Sequence, residues 1–283
     1  MIQKIRLGIS ELNVSRLCFG TEPFSIKKWM GTARGQGDQT PEEGGRILSA
    51  ALSLGVNFWD TSDDYLSHPH VAEGLKRVKR EDVVIADKSS ARTFDEGEAA
   101  VRKALKELKT EYIDLMLLHN VPYQTVWADD STGRNRYESA NLEGRRGALK
   151  AFCQAKERGL LKAVGLTTHS SKVLKQVLAV PEIEVVCTVL NRNALFLEDG
   201  SLEQHIECIR NIYDSGRGVY VIKLLGGGRF RAQNESSVRF GLQFQEFIHG
   251  WNIGMYSVED LKTNLNTFAK ALTHFQTISS NNA

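Results

Sequence analysis

The sequence predicts an α/β chain folded as one (β/α)8 barrel over residues 1–283, and three observations predict it. Short apolar runs alternate with amphipathic, helix-patterned stretches almost to the end of the chain, the order that builds parallel βαβ units. Eight such units within roughly 270 residues suit a closed barrel better than an open doubly wound sheet, and a barrel of this length is usually one domain. Ionisable residues also stand where several apolar runs stop, and in a barrel that address is the carboxyl-end face where active sites sit.

Taken in order, RLCFGT (16–21) reads as the first buried strand, followed by a loop containing Gly31, Gly35 and Gly37. Pro41, Glu42 and Glu43 then open an amphipathic helix through Leu54, with Thr40 as N-cap, Pro41 at the first helical position and Gly55 as the stop. The second strand is NFWDT (57–61), before a helix near 70–78. VVIADK (83–88) precedes the helix DEGEAAVRKALKELK (95–109), and IDLMLLH (113–119) precedes EGRRGALKAFCQAKERG (143–159). The second half continues with AVGLTT (163–168), a helix near 170–179, VVCTVL (185–190), a helix near 201–215 and VYVIKLL (219–225). A short helical pattern near 236–247, a weak strand around 248–254 and a final helix from Ser257 to about Leu272 complete the eight units. Two irregular stretches follow strands: the loop at 22–40 with Trp29, and the polar segment at 122–142 with Trp127 and Tyr137. Both are expected at the rim of a partly aromatic pocket.

The 36 basic and 34 acidic residues are spread along the chain and leave a formal charge of +2, so neither nucleic acid nor a membrane surface is an expected partner. No signal-like segment opens the chain and no apolar run approaches the length of a membrane span, so a cytoplasmic location is expected. Cys18, Cys153, Cys187 and Cys208 are far apart with no CxxC pair, which favours reduced, packed thiols. His68 and His70 flank Pro69 without an evident third ligand, so they read as a polar loop and no metal is expected. Asp63 and Asp64 read as surface turn residues, and His169 as either a pocket residue or a cap for the next helix. The oligomeric state is not legible, because the outer helices of barrels serve monomers and dimers alike.

Asp60, Tyr65, Lys88 and His119 fall at or just past the ends of the second, third and fourth strands, and barrel closure would bring them together. A tyrosine is a poor acid near neutrality, and the Lys88 ammonium is expected to lower its pKa. Asp60 would keep Lys88 charged by pairing with it. His119 can donate to a carbonyl oxygen and aim it at the tyrosine hydroxyl. The four would form a carbonyl-polarising, proton-donating set.

The DTSDDY run, the Lys after the third strand, LMLLH, AVGLTTH and the late IGMYSVEDLKTN together resemble the aldo/keto reductase family over nearly the whole chain. The resemblance implies that Asp60, Tyr65, Lys88 and His119 are the catalytic tetrad, with Tyr65 as general acid in carbonyl reduction. It also implies a nicotinamide cofactor bound without a dinucleotide-binding GxGxxG motif, and the chain has none between a strand and a helix. Thr167 and Thr168 stand where the family has Ser-Asn to hold the carboxamide, Cys187 where it has glutamine, and Ile222 where it has a stacking aromatic. In KLLGGGRFR (223–231) the family likeness places Lys223, Leu225, Gly226, Gly227, Gly228 and Arg229 at a pyrophosphate. In the last motif Gly254, Ser257 and Asn264 match, while Asp260 replaces a basic or amide residue. A carboxylate there repels a 2′-phosphate and suits a free ribose, so NADP(H) and NAD(H) both remain open. The implied substrate is a small carbonyl compound or sugar. A nucleotide-sensing barrel with little turnover, or a redox-neutral lyase or epimerase using bound cofactor transiently, is the alternative.

Overall fold

The computed structural model describes residues 3–25, 39–129 and 136–281. The chain opens with an antiparallel hairpin, β1 (Lys4–Arg6) against β2 (Asn13–Ser15), and enters its first long-range strand at β3 (Leu17–Gly20). Helix α1 (Pro41–Ser53), β4 (Phe58–Asp60), α2 (His68–Leu75), β5 (Val84–Ser89), α3 (Phe94–Leu108) and β6 (Ile113–Leu118) follow. A second hairpin, β7 (Val126–Asp129) with β8 (Arg136–Ser139), interrupts the alternation before α4 (Arg146–Glu157). The remainder is β9 (Leu161–Thr168), α5 (Ser171–Val177), β10 (Val185–Val189), α6 (Leu202–Asp214), β11 (Gly218–Ile222), α7 (Asn234–Leu242), β12 (Gly250–Gly254) and α8 (Val258–Asn281). Strands β3, β4, β5, β6, β9, β10, β11 and β12 pair in that order, all parallel, and β12 pairs with β3 to close the barrel.

The helix starts follow from their caps. Thr40 and Glu43, Thr93 and Glu96, and Ser201 and Gln204 form reciprocal capping boxes at α1, α3 and α6, each satisfying two otherwise unpaired amides. Helices α1 and α2 approach closely because Gly44 and Gly45 carry no Cβ; one at Gly44 would lie 2.8 Å from the His70 ring. Strand periodicity then divides the core. Ile85, Met116, Val164, Val186 and Val221 face the helices, while Cys18, Phe58, Ala86, Leu117, Ala163, Val185, Cys187 and Tyr220 fill the barrel interior. Leu7, Leu12 and Val14 of the first hairpin join that interior cluster and plug the amino-terminal end.

The expected barrel and its eight repeats are present, with four differences. The floor hairpin was not expected from the sequence. The segment at 122–142 contains the β7–β8 ribbon, with Trp127 opposite Glu138 and Ala128 opposite Tyr137. The final helix runs on to Asn281. Trp29, Gly31, Gly35 and Gly37 lie outside the described residues. Among the described residues, no helix is long and apolar enough to cross a membrane, and all four cysteines are free.

The expected polar loop at His68 and His70 is the buried start of α2. His68 sits between Asp87 at 3.0 Å and Glu107 at 2.7 Å. Burial opposes a charged imidazole, but the two carboxylates outweigh it and push His68 up to about 9 from 6.5. A raised folded-state pKa contributes stability that is complete below about 6.5 and lost as pH climbs through 9. Because Glu107 is half-exposed and screened, we expect about 2–3 kcal/mol from this group. Urea unfolding from pH 6 to 10 checks this: wild type loses stability across that window relative to His68→Gln, and parallel curves would refute it.

Candidate active site

The register sets the site. Asp60 pairs with Ala86 across β4 and β5, and Lys88, two residues beyond Ala86, points to the same inner face one layer higher. Lys88 Nζ donates to Asp60 Oδ1 at 2.6 Å and to the Thr61 carbonyl at 2.6 Å. Both side chains are only 1% exposed. Tyr220, deeper in the barrel on β11, donates its hydroxyl to Asp60 Oδ2 at 2.9 Å. Burial disfavours a charged Lys88, yet the charge and hydrogen bond of Asp60 prevail and hold its pKa above the usual lysine value.

Tyr65 follows β4 and brings its ring under the ammonium, with Lys88 Nζ 4.7 Å from the centroid, and packs edge-on against His119 at 5.8 Å. The expected lowering of the Tyr65 pKa is not what the surroundings produce. Burial, and after it the charges of Glu22, Asp60 and Asp64, hold the phenol well above its ordinary range. The charged Lys88 facing the ring does not reverse that direction. Tyr65 therefore retains its proton at neutral pH.

His119 follows β6, its amide donating to the Ser89 carbonyl at 2.8 Å. Its Nδ1 lies 3.2 Å from Ser62 Oγ and 3.4 Å from Asp64 Oδ2. Buried Arg145 donates to the His119 carbonyl at 2.6 Å, anchoring the loop from below. Thr167 and Thr168 tie the same loop to β9: Thr167 Oγ1 accepts from Asn120 N at 2.6 Å, and Thr168 Oγ1 donates to the Val121 carbonyl at 2.7 Å. Both hydroxyls are thus engaged with backbone. Cys187 is fully buried between the strands carrying Thr167 and Tyr220, and burial pushes its thiol up. His169 does not cap α5; Ser170 does, while His169 packs against Phe196.

A cavity of about 650 Å³ opens beside the tetrad and reaches α8. Its wall includes Asp60 and Tyr65 at one end, Ile222, Lys223, Leu225, Gly227, Gly228 and Arg229 along the β11 loop, and Gly254, Asp260 and Asn264 at the other end. Gly226, Gly227 and Gly228 have φ of 58, 62 and 92°, a left-handed run that glycine adopts freely; the Gly226 and Gly228 amides donate back to the Lys223 and Leu225 carbonyls at 2.7 and 3.0 Å. Lys223 pairs with Glu22 across the cavity at 3.4 Å, and Arg229 lies over the Phe196 ring. Ser257 caps α8 by accepting from Asp260 N at 3.0 Å, and Asp260 pairs with Arg231 at 2.7 Å. Asn264 accepts from Asn234 Nδ2 at 2.9 Å.

Sequence reasoning missed several wall residues, among them Glu22 and Asn252. Asn252 is 8% exposed and its buried Oδ1 has no hydrogen-bond partner, a condition that calls for a ligand or water. A signal for it existed: Asn252 is a polar residue on the inner parity of β12, two positions before Gly254. The cavity volume, the glycine loop with two cations and the orphaned Asn252 oxygen fit an extended, phosphate-bearing ligand such as a nicotinamide dinucleotide.

Comparison with known proteins agrees with this architecture. Aldo-keto reductase family 1 member A1 of Rattus norvegicus is 31% identical over 158 residues, covering 50% of this chain and 47% of that protein. The uncharacterized oxidoreductase YqkF of Bacillus subtilis is 25% identical over 190 residues, 62% of this chain and 52% of its own. The chain spans about half the length of the curated relatives it matches. The holo form of the aldo-keto reductase AKR11C1 from Bacillus halodurans superposes with a TM-score of 0.69 at 20% identity, covering 98% of this chain and 96% of that one, a likeness of fold. The family model described as Aldo/keto reductase family matches residues 16–276, and the chain belongs to that family.

Proposed function

We propose that the protein transfers hydride between a nicotinamide cofactor, NADP(H) or NAD(H), and the carbonyl or alcohol carbon of a small aldehyde, ketone or sugar, with Tyr65 as the proton donor in reduction. The observation that carries this is the convergence of Asp60, Lys88 and Tyr65 at the end of the same cavity that holds the Gly227–Arg229 loop. When bound, the cofactor supplies or accepts the hydride. Tyr65 holds its proton until negative charge develops on a substrate oxygen, and Lys88, kept charged by Asp60, stabilises the tyrosinate that forms. His119 directs that oxygen. Lys223 and Arg229 supply positive charge for the cofactor phosphates beside the glycine amides, and Asn252 offers its unpartnered oxygen to a donor.

Titration with NADPH and NADH separately, followed by turnover of a carbonyl panel read by nicotinamide absorbance, tests the reading; binding of neither cofactor would end it. The cofactor choice turns on Asp260. Its ion pair with Arg231 both neutralises that guanidinium and leaves a carboxylate near the cavity end. Asp260→Ala is expected to shift the ratio of NADPH to NADH affinity about tenfold toward NADPH, a change of roughly 1.4 kcal/mol. An unchanged ratio in fluorescence titrations would show that Asp260 does not face the ribose.

A second reading is a nucleotide-holding barrel with little turnover. It is favoured by the engagement of both Thr167 and Thr168 hydroxyls with backbone and by the sealed position of Cys187, which weakens the expected carboxamide contacts. It differs in requiring cofactor binding without Tyr65-dependent turnover.

A further inference from the structure

The turn between β4 and Tyr65 carries two residues with no part in the proposed hydride transfer, Ser62 and Asp64, and both converge on one atom. Ser62 Oγ donates to Asp64 Oδ1 at 2.6 Å. A serine hydroxyl has one proton, so Ser62 Oγ must act as acceptor toward His119 Nδ1, 3.2 Å away. Asp64 Oδ2, 3.4 Å from the same nitrogen, accepts when ionised. The Asp64 side chain is 56% exposed; desolvation by its neighbours works against the carboxylate, but the adjacent His119, its hydrogen bond and Ser62 hold it well below the usual carboxylate range. Two acceptors facing one ring nitrogen require that nitrogen to carry hydrogen.

We propose that Asp64, acting with Ser62, is a positioning residue that locks His119 as its Nδ1–H tautomer. His119 then donates from Nε2 to a substrate carbonyl only as imidazolium, and as neutral imidazole it accepts from a substrate alcohol. The consequence for the reaction rests on the hydride-transfer reading above; the tautomer itself does not. Carbonyl reduction then calls on the imidazolium to donate from Nε2, and alcohol oxidation on the neutral ring to accept there.

The other charged and titratable groups around the ring arrive from separate elements. Lys88 comes from β5, Asp63 and Tyr65 from the same turn, Arg145 from the segment before α4, and His169, beyond β9, acts across the pocket. Asp63 is pushed up to about 6 by burial and by the charges of Asp64 and Asp87, and its ligand atoms lie within 4.8 Å of those of Asp64 and His119. It is a second carboxyl beside the ring and must be separated from Asp64.

Two measurements test the proposal. In protein labelled with ¹⁵N-histidine, with His119 assigned by the signals lost in His119→Gln, the neutral ring is expected as Nδ1–H. Asp64→Asn and Ser62→Ala should move population toward Nε2–H, and Asp63→Asn should not. A wild-type neutral ring protonated at Nε2 overturns the proposal, whether or not any substrate turns over. For turnover, Asp64→Asn should lower kcat/KM for alcohol oxidation, measured where the ring is neutral, more than for carbonyl reduction, measured where it is protonated, because a neutral ring carrying its hydrogen on Nε2 cannot accept from an alcohol there. An equal fall in both directions overturns it. A protein with the expected tautomer but no turnover on any carbonyl would instead refute the proposed reductase activity.

Discussion

Tyr65→Phe is expected to bind nicotinamide cofactor as wild type does and to lose about 10² to 10⁴-fold in carbonyl turnover, the scale for removing a positioned general acid. The ring itself should stay in place. The Lys88 ammonium over the face and His119 at the edge pack against the ring itself, and neither contact involves the hydroxyl. Because the phenol is held in its protonated form by burial and by Glu22, Asp60 and Asp64, wild type starts each reductive cycle loaded. Cofactor titration and steady-state rates on the same preparation check the prediction. Equal turnover in both proteins would remove Tyr65 from the chemistry and leave the nucleotide-holding reading ahead.

Lys88→Met is expected to cost stability as well as activity. With the ammonium gone, Asp60 remains a buried carboxylate whose other partner is the Tyr220 hydroxyl at 2.9 Å. Breaking one side of a buried ion pair costs about 3–5 kcal/mol, because the surviving charge is left without its counterion. Replacing both partners removes the unpaired charge, so Asp60→Asn combined with Lys88→Met should recover most of the loss in urea unfolding while remaining inactive. If single and double mutants unfold at the same denaturant concentration, the pair does not behave as a coupled buried charge. A buried ion pair is poor support for stability as such. In the proposed reaction its place is the fixed positive charge it holds over the face of Tyr65.

The barrel was legible because its signal is repeated and local. Alternating strand and helix patterns, capping residues such as Thr40, and polar residues at strand ends all lie within a few positions of one another. What stayed hidden depends on partners distant in the chain. Tyr220 looked like one more apolar residue of VYVIKLL, since its hydroxyl meets Asp60 160 positions away. Asp64 is the exposed turn residue the sequence predicts, but its convergence with Ser62 on a ring 57 positions beyond Ser62 was not visible there. The β1 and β2 strands have three residues each, too few for a period of two to register. His68 and His70 were discounted for want of a third metal ligand, yet their burial serves helix packing and an ion-pair bridge. The Tyr65 environment was misjudged for another reason: one nearby lysine was weighed without the three carboxylates that the fold gathers round the same ring.

The floor hairpin has a consequence for proton traffic. Leu7, Leu12 and Val14 stopper the amino-terminal end of the barrel, and above them Cys18, Phe58 and Leu115 continue the apolar filling. The polar chain of Tyr220, Asp60 and Lys88 therefore hangs from the active-site end into a dry sleeve with no exit below. Hydrogen-bonded rows that run through a protein can pass protons from one solvent to another, but this row is a cul-de-sac. In the proposed reaction, the proton that Tyr65 gives away therefore returns from the active-site end, the side on which the cavity lies.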